Sequence, residues 1–443
     1  MNFEIVEDVG SVQPLVVTVR WSEIVFDEGL YPRVNGHDPE TVQTYARDME
    51  QIEAAGKLIS INADNILLDG RHRHLAYKKR ADGATDFDVR VYQYPIASKL
   101  ESFRLACHLQ DKGKALSNDD RIASAKRLYA LGDQAQKDIA AALGVSPATV
   151  SGWLSRTIKE EKERKKDQAR AMWMACATQD EIAEAVEVEQ RTISNWEDDF
   201  RKNSEAEDFL NSRDFELPIY NVWKQQAKSN AVSHFGNSEP RWVENLLYLY
   251  TQPASIVVDP FAGSGSTIDV CKKRGRRYFV SDRKPIVERE HEIRQHDLIS
   301  DDGTIQMPSL PRWKDVGLVY LDPPYWKQAE GQYSNDPTDL GNMPLESFNS
   351  ALSGIVNGFA KKLKNGAPRY IALIIQPTQW KSNVNKDYVD HIGDLLRSVK
   401  LPVHMRYSVP YESQQCTAQM VDWAKANKRC LVLTREIIVW EVS

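Results

Sequence analysis

The chain has 443 residues, of which 42% are hydrophobic and 27% are charged, so it is long enough for two or three domains with separate cores. Its formal net charge of −6 is unusual for a protein that binds phosphates, so any basic surface has to be local. Because it lacks an apolar run of about 18 residues, a basic-then-apolar N-terminus and cysteines at metal-ligand spacing, we expect a cytoplasmic protein with no membrane partner, disulfide framework or metal site.

Residues 1–115 predict an α+β domain in which a strand leads into a basic helix. The strand ends at Asp69 and is followed by GRHRHLA at residues 70–76. Main-chain N–H groups at such a turn attract anions, and Arg71 and Arg73 are expected to point the same way. The candidate anion or nucleotide site consists of Gly70, Arg71 and Arg73.

This domain resembles the ParB/sulfiredoxin fold. ParB-type partition proteins carry a Gly-x-Arg-Arg-x-x-Ala nucleotide motif, which Gly70, Arg73 and Ala76 match, whereas His72 replaces its first arginine. The resemblance implies a bound nucleotide, which is CTP in that family. The alternative is a folded spacer or DNA-contacting clamp without a nucleotide, and the replaced arginine favours it.

Residues 116–202 predict a helical region that contains an internal repeat. The segment Lys137–Leu154 aligns, at an offset of 43 residues, with Asp180–Glu197. Each copy predicts a helix, a short turn and a second helix, and both copies resemble helix-turn-helix units. The alternative is an ordinary helical hairpin, which explains the shared apolar positions equally well.

The second helix of each copy begins with short polar side chains, where a recognition helix meets base edges. Acidic neighbours such as Glu187 and Glu189 would repel phosphate, so the first copy is the better candidate and the second is alternatively a packing element. The candidate DNA-binding residues are Ser146, Ala148, Thr149 and Ser151 in the first copy, and Gln190, Arg191 and Asn195 in the second.

Two basic runs counter the negative net charge locally. Seven Lys or Arg residues lie between Arg156 and Arg170, and KKRGRR occupies Lys272–Arg277. The first run fits a phosphate track or a solvated helix with ion pairs equally well. Beyond the helical region, residues 203–216 predict a polar, acidic linker.

The last predicted domain, residues 217–443, contains a glycine-rich turn after an apolar run. In DPFAGSGST, residues 259–267, Gly263 and Gly265 allow a tight turn and let a ligand approach the main chain. A second strand ends at Asp282, where a doubly wound sheet places an acid that binds ribose hydroxyls. These motifs predict a cofactor site.

Further along the chain, an apolar strand ends in Asp-Pro-Pro-Tyr at residues 322–325. Two fixed φ angles hold the Asp322 carboxylate and the Pro323 carbonyl as rigid acceptors, and Tyr325 offers a flat face for stacking. Such a pocket suits the exocyclic amine of a planar base.

From about Tyr220 to its C-terminus the chain resembles the amino-methyltransferases of DNA, which use S-adenosylmethionine. The resemblance implies a Rossmann-like α/β sheet and assigns the FxGxG signature to the methionine half of the cofactor. It also places Asp282 on the ribose and Asp297 on the adenine amino group. The implied cofactor-binding residues are Asp259, Phe261, Gly263, Gly265, Thr267, Asp282 and Asp297, and the implied catalytic residues are Asp322, Pro323, Pro324 and Tyr325.

The sequence therefore predicts a site-specific DNA methyltransferase, with adenine N6 as the leading target and cytosine N4 as the nearer variant. Because a duplex hides this nitrogen, the base must be extruded, and Tyr325, with Trp326 as a second candidate, would stack on it. Two other classes stay open. One is a DNA-binding regulator or partition factor with a non-catalytic methyltransferase fold, and the other is a methyltransferase for RNA or a free base.

Only 117 residues follow Trp326, which leaves little room for a separate target-recognition domain. We expect the helix-turn-helix pair and the ParB-like domain to bring the enzyme to double-stranded DNA. The polar insert Lys327–Met343 is expected to be flexible and is a candidate lining for the DNA groove. A homodimer is compatible with DNA binding, although nothing in the sequence requires it.

Overall fold

The computed structural model describes residues 11–33, 37–80, 87–111, 116–132, 135–211, 213–224, 239–327, 331, 334–364, 368–379, 388–410 and 417–443. The chain divides into two units between Arg164 and Lys165. This boundary places the second repeat with the C-terminal unit, whereas the sequence suggested boundaries at 115/116, 202/203 and 216/217. Among the helices of the described ranges, none has the length and apolar character that crossing a bilayer requires.

The first unit begins with a four-stranded sheet. Its strands are β1 (Leu15–Arg20), β2 (Ile59–Ile61), β3 (Leu67–Asp69) and β4 (Asp88–Gln93), in the order β1-β4-β2-β3. The accompanying helices are α1 (Pro39–Arg47), α2 (Met49–Ala54), α3 (Arg71–Arg80) and α4 (Lys99–Asp111). Ile59 of β2 and Val91 of β4 are register partners and fully buried, so the core of this α+β region lies on the sheet.

Three helices follow: α5 (Asn118–Ala130), α6 (Gln136–Leu143) and α7 (Pro147–Met174), of which α7 runs across the unit boundary. Gly144, with a left-handed φ of 64°, ends α6. The Ser146 hydroxyl accepts the Thr149 N–H at 3.1 Å and so caps α7. The first copy of the repeat is therefore a helix, a glycine turn and a second helix.

The second copy consists of α8 (Gln179–Ala185) and α9 (Gln190–Ala206). Glu187 lies 43 residues after Gly144 and has a left-handed φ of 52°, which is uncommon for a residue with a side chain. The same turn at equivalent positions supports the predicted repeat. Ile193 and Phe200 of α9 are buried in one core with Val257 of the C-terminal sheet, so the second copy packs as part of that unit.

A seven-stranded sheet forms the centre of the second unit. Its strands are β5 (Ile256–Asp259), β6 (Arg277–Asp282), β7 (Arg294–Gln295), β8 (Val316–Leu321), β9 (Arg369–Ile375), β12 (Val403–Pro410) and β13 (Thr434–Val442). A separate strand pair comprises β10 (Thr378–Gln379) and β11 (Tyr388–Val389). The helices are α10 (Pro240–Tyr250), α11 (Ser266–Lys273), α12 (Leu345–Leu363), α13 (Ile392–Ser398) and α14 (Ala418–Ala426).

The strands of this sheet follow the order β12-β13-β9-β8-β5-β6-β7. The five strands from β9 to β7 are parallel, and β13 is antiparallel to both β9 and β12. The chain order reverses between β5 and β8, so the loops after these two strands leave the same edge of the sheet side by side. The predicted α/β class is confirmed.

The arginines of the basic run at residues 272–277 are buried, whereas Lys272 and Lys273 are exposed. Arg274 and Arg276 are each only 2% exposed. Arg274 donates to Asp214 at 2.9 Å, and Arg276 pairs with Asp208. Both acids belong to the predicted acidic linker, which therefore packs against the C-terminal unit, because buried guanidinium groups need anionic partners.

The other basic run is also engaged in ion pairs at its C-terminal end. Lys166 pairs with Asp199 at 2.7 Å, and Arg170 pairs with Glu207 at 2.6 Å. The first pair joins α7 to α9, and the second joins α7 to Glu207, the C-cap residue of α9. For this part of the basic run, the contacts favour a helix with ion pairs over a track that binds DNA phosphates.

Candidate active site

The loop after β5 is organised by Asp259, the last residue of that strand. Its buried carboxylate accepts hydrogen bonds from the Phe261 N–H at 3.0 Å and from the Thr267 hydroxyl at 2.7 Å. Burial raises the pKa of Asp259 to about 7, although these two hydrogen bonds act in the opposite direction. The carboxylate thus holds the glycine-rich loop together.

The two glycines of this loop have different roles. Both are left-handed, with φ of 51° at Gly263 and 80° at Gly265. A Cβ atom at position 265 would lie 2.9 Å from Arg289 Nη1, whereas for position 263 the nearest protein atom described is Phe261 O at 4.0 Å. Gly263 therefore leaves open space in front of the main chain, whereas a side chain at position 265 would displace the Arg289 side chain.

Two further carboxylates lie beside the glycine loop: Asp282, which ends β6, and Asp297, which follows β7. Asp282 accepts hydrogen bonds from two main-chain N–H groups, including that of Gly263 at 2.9 Å. Asp297 forms an ion pair with Arg283, whose Nε lies 2.8 Å from its carboxylate, and it accepts a hydrogen bond from the Ile299 N–H at 3.1 Å. A carboxylate oxygen can accept more than one hydrogen bond, so these bonds do not exhaust either group.

The Asp-Pro-Pro-Tyr segment leaves the end of β8 next to the glycine loop. The Tyr325 hydroxyl donates to Asp322 Oδ1 at 3.1 Å. Burial raises the pKa of Tyr325 well above its usual range, so the phenol stays protonated as a donor. The guanidinium carbon of Arg435, on β13, lies 5.2 Å from the centre of the Tyr325 ring. One side of this ring is thus occupied by a cation.

A single cavity of about 720 Å³ lies between the two loops, a volume typical of small-molecule sites. Gly263 of the first loop and Asp322 of the second both line it. The sequence-predicted residues that line the cavity are Asp259, Phe261, Gly263, Thr267, Asp282, Asp297, Asp322 and Pro324. The structure therefore brings the two motifs to one site.

Other predicted residues lie outside the cavity wall. Pro323 is buried and, like Gly265 and Tyr325, is not among the described residues that line the cavity. Trp326 is 6% exposed, and its indole N–H donates to the Met343 carbonyl at 2.9 Å. The prediction that Trp326 stacks on a base is wrong, because its ring is buried in the hydrophobic core and its N–H is already satisfied there.

The polar insert contributes a wall that the sequence did not reveal. Its residues 328–330 and 332–333 lie outside the described residues, but Ser334, Thr338, Asp339 and Leu340 line the cavity. Arg283 Nη2 donates to Asp336 at 2.5 Å and to the Thr338 hydroxyl at 3.1 Å. The described part of the insert is thus an ordered cavity wall rather than a flexible DNA-groove lining. Arg283 follows β6 and lies more than 50 positions before Asp336 in the sequence, so no local sequence pattern could have predicted this contact.

In the first unit, Gly70 has the expected left-handed backbone, with φ of 95°. The expectation that both arginines point to one anion is not met. Arg73 donates to Asp69 at 2.8 Å and to the Lys57 carbonyl at 2.9 Å, because the preceding strand ends in an acid. Arg71 places its guanidinium carbon 3.2 Å from the centre of the Phe26 ring. A nucleotide at this turn stays a prediction.

The candidate DNA-binding residues of the first copy are exposed at the start of α7. Ser146 and Thr149 share a hydroxyl hydrogen bond of 2.8 Å, and Ala148 and Ser151 are also exposed. Short side chains at an accessible helix start are compatible with a recognition helix.

The second copy presents a different environment. Arg191 and Asn195 are exposed, but Gln190 lines a cavity of about 260 Å³ with Ile256 and Arg277, the first residues of β5 and β6. The last residues of these two strands line the larger cavity. The start of α9 therefore lies at the amino edge of the sheet, away from the candidate active site.

Comparisons with known proteins agree with the methyltransferase motifs. Residues 148–289 match the DNA methylase family of N6 and N4 methyltransferases. This range covers roughly a third of the chain, includes the second repeat and the glycine loop, and ends before Asp322. The match confirms the resemblance to the amino-methyltransferases of DNA. Among the described residues, we find no group of three or more His, Cys, Asp or Glu side chains that could hold a metal ion.

The chain is also 33% identical, over 64 residues, to the Type II methyltransferase M.XycI of Xanthomonas campestris pv. cyanopsidis. This match covers 14% of the chain and about a fifth (21%) of the relative's length.

Two solved structures are more distant. One is an antibiotic-related methyltransferase, at 13% identity, with 48% of this chain and 96% of that chain covered and a TM-score of 0.22. The other is the C-terminally truncated chromosome-partitioning protein ParB of Caulobacter crescentus complexed to the centromeric parS site, at 14% identity, with 40% and 96% covered and a TM-score of 0.22. Scores this low do not establish a shared fold.

Proposed function

We propose that the chain is a DNA methyltransferase that moves a methyl group from S-adenosylmethionine to the exocyclic amine of an extruded base, with adenine N6 as the target. The observation that carries this proposal is the shared cavity. Gly263 follows β5, Asp322 follows β8, and both line one space at the point where the strand order reverses. Ligands of open α/β sheets bind at such points.

The cavity fits S-adenosylmethionine in size and chemistry. Position 263 offers main chain without a Cβ, and Asp282 and Asp297 offer carboxylates for the ribose hydroxyls and the adenine amine. The sheet order, with one antiparallel strand next to its edge, is compatible with a Rossmann-like methyltransferase sheet. When bound, the cofactor supplies a methyl group that its sulfonium already activates.

Within this proposal, Asp322 orients the target amine. Its carboxylate, which lines the cavity, accepts a hydrogen bond from an amine N–H group, so that the nitrogen lone pair faces the donor methyl. The second acceptor proposed from the sequence is the carbonyl of Pro323, which is buried behind the described cavity wall. The nitrogen would gain the methyl group as the methyl–sulfur bond breaks, which leaves a neutral thioether, and the nitrogen would give up one proton, for which we propose the Asp322 carboxylate as acceptor. The Tyr325 hydroxyl, bonded to Asp322 Oδ1, keeps that carboxylate in place.

The proposed substrate is duplex DNA, which the first copy of the repeat and the ParB-like domain would bring to the enzyme. Support comes from the match to the DNA methylase family and from the exposed start of α7. That family includes both N6 and N4 enzymes, so cytosine N4 is the other product that an experiment has to distinguish.

The test is to incubate the full chain with S-adenosylmethionine carrying a labelled methyl group, and with duplex DNA or RNA. Digestion and identification of the modified nucleoside then give the product. We expect N6-methyladenine in DNA from the native chain and none from Asp322→Ala. Label in RNA alone, or equal label from Asp322→Ala, would refute the proposal.

A further inference from the structure

Arg283 joins two separate parts of the candidate cofactor cavity. Its Nε lies 2.8 Å from the Asp297 carboxylate in an ion pair, and its Nη2 donates to Asp336 at 2.5 Å and to Thr338 at 3.1 Å. Asp297 follows β7, whereas Asp336 and Thr338 belong to the insert after Tyr325. One guanidinium therefore connects the adenine-side carboxylate to the wall formed by the insert.

The wall that Arg283 contacts, residues 334–342, is braced internally. Asp336 Oδ1 accepts the Thr338 N–H and hydroxyl, each at 2.8 Å. The Asn342 amide donates to the carbonyls of Ser334 and Asp336 at 2.9 and 2.8 Å. Because these bonds make the segment one unit, holding Asp336 in place also holds the cavity-lining residues Thr338 and Leu340.

The same wall is attached to the end of the Asp-Pro-Pro-Tyr segment. The Lys327 N–H donates to the Gly341 carbonyl at 3.3 Å, and the Trp326 indole donates at 2.9 Å to the carbonyl of Met343, the residue that follows the wall. A chain of direct contacts thus runs from Asp297 through Arg283 and the wall to the residues that follow Tyr325.

Charge gives Arg283 a second effect. Asp297 and Asp336 are both bound to its guanidinium, so they lie near each other. Without this cation the two carboxylates would repel each other, and the wall would tend to move away from Asp297. A bidentate guanidinium suits this position because it can bond two carboxylates in fixed directions at once.

We propose that Arg283 is a positioning residue that holds the wall 334–342 against Asp297 and so shapes the cavity for the adenosyl part of the cofactor. This inference rests on the proposed function and deepens it, because neither the glycine loop nor the Asp-Pro-Pro-Tyr segment contains this connection. Loss of the Arg283 side chain should weaken cofactor binding even in the absence of DNA.

The test compares four variants of the full chain: Arg283→Ala, Asp336→Asn, the double variant, and Asp302→Asn as matched control. Asp302 is an exposed aspartate whose carboxylate accepts the Thr304 N–H at 3.0 Å, as that of Asp336 accepts the Thr338 N–H, but it is not among the described residues that line the cavity. The dissociation constant of S-adenosylmethionine is measured by titration calorimetry without DNA, and thermal unfolding reports whether each variant is folded.

We expect Arg283→Ala to weaken binding about tenfold and Asp336→Asn to weaken it severalfold, as for hydrogen bonds to charged groups. The double variant should bind no worse than Arg283→Ala, because both substitutions break one connection. Asp302→Asn should bind like the native chain. Native affinity in a folded Asp336→Asn variant, or fully additive losses, would overturn the role of Arg283 while leaving the proposed function intact. A native chain that does not bind S-adenosylmethionine would overturn both.

Discussion

The Thr267 hydroxyl donates a hydrogen bond of 2.7 Å to the carboxylate of Asp259, which is 2% exposed at the end of β5. This bond favours the charged carboxylate, but burial outweighs it and raises the pKa of Asp259 to about 7. The loop that carries Gly263 is therefore built around a carboxyl group whose charge changes near neutral pH.

This pKa predicts how stability depends on pH. An aspartate in the unfolded chain has a pKa of about 4, so between roughly pH 4 and 7 the folded chain keeps a proton that the unfolded chain has released. The contribution of Asp259 to the free energy of unfolding should therefore fall as the pH rises through this window. Urea unfolding across the window should show a flatter pH dependence in Asp259→Asn than in the native chain.

Thr267→Val provides the matched comparison for this prediction. It removes the hydroxyl that favours the charged carboxylate, so the pKa of Asp259 in the folded chain should rise. The decline in stability should still begin near pH 4, at about the pKa of the unfolded chain, and should extend to higher pH. An identical pH dependence in all three proteins would show that Asp259 keeps an ordinary pKa.

Gly265→Ala should destabilise the chain more than Gly303→Ala. Both glycines have φ of 80°, so an added Cβ brings the same backbone strain at both positions. At 265 it would also lie 2.9 Å from Arg289, whereas for Gly303 no described atom lies within 4 Å. We expect an extra loss of about 1 kcal/mol at 265, because the Arg289 side chain would have to leave its contacts with the Gly265 carbonyl and Asp269. Urea unfolding measures both free energies, and equal losses would contradict the packing role of Gly265.

The two copies of the repeat should differ in DNA binding. Ser151 and Ser194 occupy equivalent, exposed positions on α7 and α9. Ser151→Glu should weaken binding to duplex DNA about tenfold, because it places a negative charge where phosphates would approach. Ser194→Glu should have little effect, since α9 begins at the sheet edge away from the cavity. Fluorescence anisotropy at fixed salt tests the pair, and a reversed order of effects would assign DNA contact to the second copy.

A C-terminal fragment that begins at residue 165 should fold by itself, whereas a fragment that begins at residue 206 should not. A chain that begins at Lys165 keeps Trp173, Ile193 and Phe200, which are buried in one core with the sheet. A chain that begins at Ala206 loses all three. We expect cooperative thermal unfolding from the longer fragment and its loss from the shorter one. Cooperative unfolding of the shorter fragment at the same temperature would show that the second repeat is dispensable for the fold.

The sequence predicted the parts of the site that depend on local pattern. The glycine turn and the proline-stiffened turn each follow an apolar strand within a few residues, so their positions at strand ends could be predicted. A parallel sheet presents the carboxyl ends of its strands at one edge. The sequence therefore also predicted that Gly263 and Asp322 share a cavity.

The errors arose where partners are distant in sequence. KKRGRR looked like a basic surface because nothing nearby shows that Asp208 and Asp214 neutralise Arg276 and Arg274. Trp326 looked like a second stacking residue because its burial depends on the helices and loops that follow it. Arg283 had no recognisable motif, since its role depends on bonds to Asp297 and to the insert.

The shared core of α9 and the sheet also has a practical consequence. A helix-turn-helix can be exchanged between proteins only if its hydrophobic residues do not form part of the core of the neighbouring domain. The second copy does not meet this condition, because its removal would take Ile193 and Phe200 out of the core that they share with Val257. Attempts to retarget the protein by grafting a foreign DNA reader should therefore replace the first copy and leave the second in place.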